Sequence, residues 1–293
     1  MSPETPMSYE RPESLERALA LRAAPGAVLA GGTDLYALTV RRELSGPVLD
    51  LTACAALRGI VCGPDGLRIG AATSWTAIAE ARLPDACAGL QAAARLVGSR
   101  QIQNRGTIGG NLCNASPAAD GAPPLLTLDA EVELASVRGA RRLALSDFLR
   151  GPRQTALAAD ELMTAVILPS AALAGRGTFV KLGARAHLVI SIAMAAVRLE
   201  VAEGRVSAAA LSLGACGPVA TRLPGIEAAL AGRDATPEAL AAAVTDAAVA
   251  EAVSPIDDIR ADAAYRRRAA AEILRRALVA ALAPSAAFRE TAA

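Results

Sequence analysis

Segment 101–124 (QIQNRGTIGGNLCNASPAADGAPP) lies between stretches of clear helix or strand periodicity and is crowded with Gly, Asn and Pro. These residues interrupt regular elements: Gly is too free, Pro lacks an N–H, and Asn competes for backbone hydrogen bonds. The composition predicts one long irregular connection. Compact domains rarely carry such a loop unless it binds something. A fold for this chain must therefore put the segment where a ligand can reach it.

The flanking periodicity predicts small α/β units. Ser14 caps a short amphipathic helix over 14–24, and 27–30 and 48–51 read as strands. Between those strands lie a turn at Gly31, Gly32, Thr33 and Asp34 and a helix over 35–43. A strand at 67–71, a Ser74-capped helix to 81 and a helix over 90–97 stopped by Gly98 follow. Strands resume at 131–136, 141–145 and 162–168. A boundary falls between Pro169 and Gly177. Beyond it come strands at 178–182, 188–201 and 205–213, with a hairpin turn at Glu203 and Gly204. Helices over 222–230, 237–253 and 258–282 close the chain. The last sets Tyr265, Ala269, Ile273, Ala277 and Ala281 on one stripe, and its Arg266, Arg267, Arg268, Arg275 and Arg276 read as a solvated or interface face.

Composition narrows the function. A length of 293 residues suits two domains, and aromatics at 2% leave the core to Ala, Val, Leu and Ile. A net charge of +1 and so few aromatics argue against a nucleic-acid surface. No signal peptide is visible, and the longest apolar run, 188–197, is too short to span a bilayer. The expectation is a cytoplasmic protein without membrane insertion. Cys54, Cys62, Cys87, Cys113 and Cys216 form no CxxC pair and read as buried small hydrophobes. A single histidine, His187, argues against a His-based metal site or a Ser–His–Asp triad. No catalytic residue and no metal ligand is assigned.

Two glycine loops carry the chemistry. In the first, Val28, Leu29, Ala30, Gly31, Gly32, Thr33, Asp34 and Leu35 (VLAGGTDL) offer backbone N–H groups to an anion, with Thr33 adding a hydroxyl and Asp34 capping the next helix. In the second, Thr107, Ile108, Gly109, Gly110 and Asn111 (TIGGN) present the same chemistry. Two such loops could grip the phosphates of a dinucleotide from opposite sides, and Asp120 could accept from sugar or ribityl hydroxyls. Tight structural turns are the alternative for both. Neither GxGxxG nor a P-loop is present, which disfavours a Rossmann fold and a P-loop ATPase.

AGGTDL at 30–35, IQNRGTIGGNLCNASPAADGAPPLLTLDAEV at 102–132 and YRRRAAAEILRRAL at 265–278 together go further. In order and spacing, over nearly the whole chain, they resemble the FAD-binding medium subunit of molybdopterin-containing hydroxylases. That family includes xanthine, carbon monoxide and nicotinate dehydrogenases. The resemblance implies an α+β fold. Residues 1–172 would form an FAD-binding domain of the vanillyl-alcohol-oxidase (PCMH) type, with subdomains of about 1–55 and 56–172. Residues 173–285 would form a carbon monoxide dehydrogenase flavoprotein C-terminal-like domain, a three-stranded antiparallel sheet with a helix bundle.

The resemblance also implies the site. Val28 to Leu35 and Thr107 to Asn111 would contact the FAD diphosphate, with Asp120 as the family's aspartate. Met163 would pack near the flavin, and Lys181 would lie close to it, favouring negative charge there. Some relatives place a tyrosine over the ring; here the stretch is His187, Leu188, Val189, Ile190 and Ser191, so aliphatic Val189 or Ile190 would cover it. The cysteine-rich insertion that holds a [4Fe-4S] cluster in some relatives is absent.

The implied function is an FAD-binding electron-transfer subunit of a molybdenum hydroxylase, an oxidoreductase. FAD would bind non-covalently. A large subunit would carry the molybdenum cofactor and a small subunit two [2Fe-2S] clusters, in a dimer of heterotrimers that feeds an external electron acceptor. The alternative is a stand-alone FAD-dependent oxidase or dehydrogenase, which needs a base in its pocket and often a His or Cys link to flavin. A scaffold that has lost its cofactor is a third reading, disfavoured by the retained glycines.

Overall fold

The structure is a computed structural model that describes residues 8–37, 39, 44 and 46–283. Its first unit is a parallel sheet of β1 (Tyr9–Glu10), β2 (Ala27–Leu29) and β3 (Val48–Asp50) in the order β1-β3-β2, beside helix α1 (Leu15–Arg22). Ser14 Oγ accepts from Arg17 N at 3.2 Å and starts α1 as expected. Most of the helix expected over 35–43 lies outside the described residues. Residues 33–37 form turns, with Tyr36 N donating to Gly32 O at 3.0 Å.

A five-stranded antiparallel sheet follows. It contains β4 (Ile60–Gly63), β5 (Gly66–Gly70), β6 (Glu131–Ser136), β7 (Gly139–Ala144) and β10 (Leu162–Pro169), in the order β4-β5-β10-β6-β7. β8 (Leu149–Gly151) and β9 (Gln154–Thr155) form a separate hairpin. The central strand β10 is covered on both faces, which explains its unalternating run of buried residues. Around the sheet pack α2 (Trp75–Glu80), α3 (Ala88–Leu96), α4 (Arg100–Arg105), α5 (Ile108–Asn114), α6 (Ala122–Thr127) and α7 (Leu145–Phe148). Trp75, Ile78, Leu90, Ile108, Leu125 and Phe148 form the middle of this core.

The long loop expected over 101–124 is therefore wrong: α4, α5 and the first half of α6 occupy most of it. Caps override the weak propensity of these short segments. Ser99 Oγ accepts from Ile102 N at 3.4 Å, Thr107 Oγ1 accepts from Gly110 N at 3.0 Å, and proline stands at the start of α6. Gly109 is helical for a packing reason, since a Cβ there would sit 2.7 Å from both Cβ and O of Ala71.

The C-terminal part holds β11 (Arg176–Leu182), β12 (Ala193–Ala202) and β13 (Arg205–Gly214) in the expected antiparallel arrangement. A short fourth strand, β14 (Thr221–Arg222), adds to its edge. Glu203 (φ +52°) and Gly204 (φ +74°) make the hairpin turn. The strand expected over 188–201 starts only at Ala193; residues 183–192 form a connection in which Leu188 is left-handed (φ +53°).

Against this sheet lie α8 (Pro224–Leu230), α9 (Pro237–Ala243), α10 (Asp246–Ala252) and α11 (Ala263–Leu282). The single helix expected over 237–253 is two. Thr245 Oγ1 caps α10 by accepting from Ala248 N at 3.1 Å, and Arg275 Nη2 donates to Val244 O at 2.7 Å across the break. The buried stripe of α11 runs through Arg266, Ala270, Ile273, Leu274, Ala277 and Leu278, with Tyr265 exposed. Arg266 and Arg275 thus depart from the expected solvated face, whereas Arg267, Arg268 and Arg276 keep to it. Arg266 is 1% exposed and donates to Ile192 O (3.0 Å), Ala215 O (2.8 Å) and Asp258 Oδ1 (2.6 Å). Cys54, Cys87 and Cys216 are buried as expected, but Cys62 is exposed and Cys113 only half-buried. Among the described residues no helix is long and apolar enough to cross a membrane.

Candidate functional site: a cavity between two glycine loops

A cavity of about 820 Å³ is walled by residues from all three parts of the chain. That volume falls within the range of small-molecule and cofactor sites. Of the residues expected to bind, Val28, Ala30, Gly31, Gly32, Thr33, Asp34, Leu35, Thr107, Gly109, Gly110, Asn111, Asp120 and Met163 line it. Leu29 and Ile108 do not; their side chains are buried in the cores beneath the loops. Lys181 does not line it either and reaches its wall through Asp120.

The two loops touch each other. A Cβ on Gly31 would lie 2.1 Å from Arg105 O, so only glycine lets the first loop rest on the residues that lead into the second. Gly32 is left-handed (φ +76°), a second requirement for glycine. The N–H groups of Gly31, Gly32, Thr33 and Asp34 donate to no acceptor among the described residues. Asp34 is exposed and lines the cavity; it caps no helix among those residues.

The second loop differs from the first in a way the sequence did not reveal. Ile108 N donates to Thr73 O (3.1 Å), Gly109 N to Ala71 O (2.8 Å), Gly110 N to Thr107 Oγ1 (3.0 Å) and Asn111 N to Thr107 O (3.0 Å). These four backbone donors are committed to the protein. What it offers a ligand is the open face of Gly110, where a Cβ would meet only Thr107 Oγ1 at 2.9 Å, and the amide of Asn111. Asn111 Oδ1 is buried without a hydrogen-bond partner. Buried polar atoms are nearly always paired, and this unpaired one belongs to a residue that lines the cavity.

Asp120 anchors the far wall. Its Oδ2 lies 2.7 Å from Lys181 Nζ, and its Oδ1 accepts from Ser191 Oγ at 2.7 Å. Burial pushes the Asp120 carboxyl above its ordinary value, against the pull of Lys181 and Ser191. Met163 stands where the β10–β6 register shifts, and such irregularities often re-aim side chains beside functional sites. Leu188, Val189 and Ile190 line the cavity, and His187 does not. Val189 packs on Gly183, where a Cβ would lie 2.5 Å from its Cγ1.

Cys113, the one cysteine that the sequence puts in a loop and the candidate for a covalent flavin link in the oxidase reading, also lines the cavity. Other lining residues escaped sequence reasoning: Val97 and Ile102 add apolar wall, and Arg153 and Glu161 add functional groups. Burial pushes the Cys113 thiol up to about 12. Glu161 is held by Arg141 Nε at 2.7 Å and by Ala158 N at 2.9 Å. Arg153 belongs to a hairpin too short to show periodicity, so no signal singled it out. Free N–H donors on a glycine turn, an orphaned amide oxygen, apolar walls and a volume in the right range together fit a flavin dinucleotide.

Comparison with known proteins agrees with this geometry. The FAD binding domain in molybdopterin dehydrogenase matches residues 5–171, and the CO dehydrogenase flavoprotein C-terminal domain matches residues 178–281. The nicotinate dehydrogenase FAD-subunit of Eubacterium barkeri is 38% identical over 70% of this chain and 72% of its own. The nicotine 6-hydroxylase medium subunit of Paenarthrobacter nicotinovorans is 34% identical over 92% of this chain and 95% of its own. A solved structure of carbon monoxide dehydrogenase from Hydrogenophaga pseudoflava superposes with a TM-score of 0.84 at 30% identity, covering 95% of this chain and 98% of that one. The chain therefore belongs to the FAD-binding subunits of molybdopterin dehydrogenases, oxidoreductases of the xanthine and carbon monoxide dehydrogenase type.

Proposed function

We propose that this chain holds FAD in the cavity and relays electrons from the [2Fe-2S] clusters of a small partner subunit to an external acceptor. A large partner subunit carries the molybdenum cofactor and oxidises the substrate, in a dimer of heterotrimers, and the chain works in the cytoplasm. Residues 1–172 form the FAD-binding domain and 173–285 the C-terminal domain. The observation that carries the reading is the joining of both glycine loops, Asp120 and Met163 around one cavity.

Within that cavity the first loop supplies the diphosphate donors, through the N–H groups of Gly31 to Asp34 and the Thr33 hydroxyl. Thr107, Gly110 and Asn111 shape the opposite side, Asn111 through its side chain. Lys181 offsets the buried Asp120 carboxyl, so this part of the wall adds no net negative charge beside the flavin, and Val189 and Ile190 exclude water from the ring. FAD, when bound, supplies the exchange between one-electron and two-electron carriers. The protein contributes binding, orientation and electrostatics, which is why no acid–base pair or metal ligand set is needed among the described residues.

The test uses the complex isolated from its native host. Gly110→Leu should fill the cavity without meeting backbone and keep FAD out. The complex with this variant, reduced by dithionite, should keep reducible clusters but lose reoxidation by its acceptor, whether NAD, quinone or dioxygen. Undiminished reoxidation without flavin would refute the relay.

A further inference from the structure

Among the described residues Arg153 is the only cationic side chain that lines the cavity, and the other charged groups on its wall are Asp34, Asp120 and Glu161. Asp120 is matched by Lys181, and Glu161 by Arg141. A dinucleotide brings diphosphate charge to a wall on which, among the described residues, Arg153 is the one cation not paired with a carboxylate. Planar guanidinium groups are well suited to such oxyanions.

The backbone around Arg153 is strained. It sits in the turn between β8 and β9 with φ +60°, a left-handed conformation that L side chains adopt only at a cost. Its N–H donates to Ala115 O at 2.9 Å, and Ala115 is itself left-handed (φ +45°) at the end of α5. Two left-handed residues thus bind each other beside the cavity, tying the hairpin to the helix that begins with the second glycine loop. Glycine would relieve the strain at 153, and such strain tends to persist where a side chain is needed.

The side chain is also held in place. Arg153 Nη1 donates to Asn114 Oδ1 and lies 3.5 Å from Asn114 O. Its Nε and Nη2 have no acceptor among the described residues. An exposed guanidinium bonded only at Nη1, with Nε and Nη2 free, on the wall of a cavity for an anionic cofactor, can serve as a binding group.

We propose that Arg153 is the counter-charge of the cavity and binds an anionic group of the bound FAD through Nε and Nη2. The proposal rests on the reading that FAD occupies this cavity. The anionic group has two sources, the diphosphate or the flavin ring once it holds electrons.

The experiment uses the full chain with Arg153→Gln, Arg153→Lys and Arg153→Gly. FAD and riboflavin affinities are measured by flavin fluorescence titration, the midpoint potential of bound FAD by dye equilibration, and stability by thermal unfolding. If the diphosphate is the partner, Arg153→Gln weakens FAD at least tenfold, leaves riboflavin unchanged, and Arg153→Lys is intermediate. If the ring is the partner, both affinities hold and the midpoint potential falls. In either case Arg153→Gly, relaxed at φ +60°, keeps or gains stability while showing the same ligand defect. Unchanged affinities and potential in a folded Arg153→Gln overturn the proposal. So does a defect that only tracks loss of stability. A wild-type chain that takes up no FAD would instead overturn the underlying reading of the cavity.

Discussion

Lys181 Nζ and Asp120 Oδ2 lie 2.7 Å apart, with side chains only 7% and 9% exposed, and so join β11 to the wall of the cofactor cavity. Breaking a buried pair by removing one partner strands the other charge and costs about 3–5 kcal/mol. Lys181→Met should therefore destabilise by that order, and adding Asp120→Asn should recover part of the loss. A urea-unfolding double-mutant cycle measures this, and strictly additive losses would contradict it. The pH dependence has a definite sign. Burial raises the Asp120 carboxyl, so its folded state holds the proton more tightly than the unfolded chain, and its contribution declines as pH rises through the folded value. Without Lys181 that decline is steeper, so the deficit of Lys181→Met should be smallest in acid and grow toward neutrality.

Asp258 accepts from Arg260 Nη2 and Arg266 Nη2, each at 2.6 Å. The bonds and charge of Arg260, with the charge of Arg266, hold its carboxyl well below the usual range. A depressed carboxyl contributes stability above its unfolded value and loses it as pH falls through the folded one. Asp258→Asn should destabilise by about 3 kcal/mol at neutral pH, because it leaves the Arg266 guanidinium buried without its counter-charge. Melting temperatures of wild type and variant should begin to converge as pH falls below about 4 and approach each other further in stronger acid. A gap that widens on acidification would be inconsistent with this pairing.

Gly31→Ala drives a Cβ into the backbone carbonyl of Arg105, 2.1 Å away. Neither partner is a flexible side chain, so the loops must separate, at about 1–3 kcal/mol. Lower thermal stability and weaker FAD binding should appear together in this variant. A stable Gly31→Ala chain with wild-type affinity would show that the loops need not touch.

Cys113 is the cysteine on the cavity wall, and burial pushes its thiol up to about 12. The thiolate is the nucleophile, so this side chain is a poor anchor for flavin at neutral pH. Acid precipitation should release all the flavin into the supernatant. Yellow colour retained in the pellet would favour the covalently linked oxidase reading.

Much of the fold could be read from pattern. The unalternating run of β10, the Glu203–Gly204 turn and the Ser14 and Ser74 caps all announce their elements. The stretch 101–124 misled because its composition argues for a loop, whereas its helices are held by caps at Ser99 and Thr107 and by the fit of Gly109 to Ala71. Residues 188–192 look like strand by hydrophobicity, but they lie outside β12, residues 188–190 line the cavity, and the left-handed Leu188 carries no local signal. Arg266 sits in a run of arginines that looks solvated; only the carbonyls of Ile192 and Ala215, distant in sequence, make it a core residue. The two glycine loops were visible as motifs. That one keeps its N–H groups free while the other commits them to Ala71, Thr73 and Thr107 depends on tertiary contacts.

That difference between the loops supplies the most direct test of the cofactor site. Hydrogen exchange of the full chain, with and without excess FAD, reads each amide separately. Binding should slow the amides of Gly31, Gly32, Thr33 and Asp34 strongly and change those of Ile108 to Asn111 little, since the latter are already bonded. Stoichiometric FAD binding that leaves the first-loop amides exchanging freely would place the diphosphate elsewhere and contradict the account.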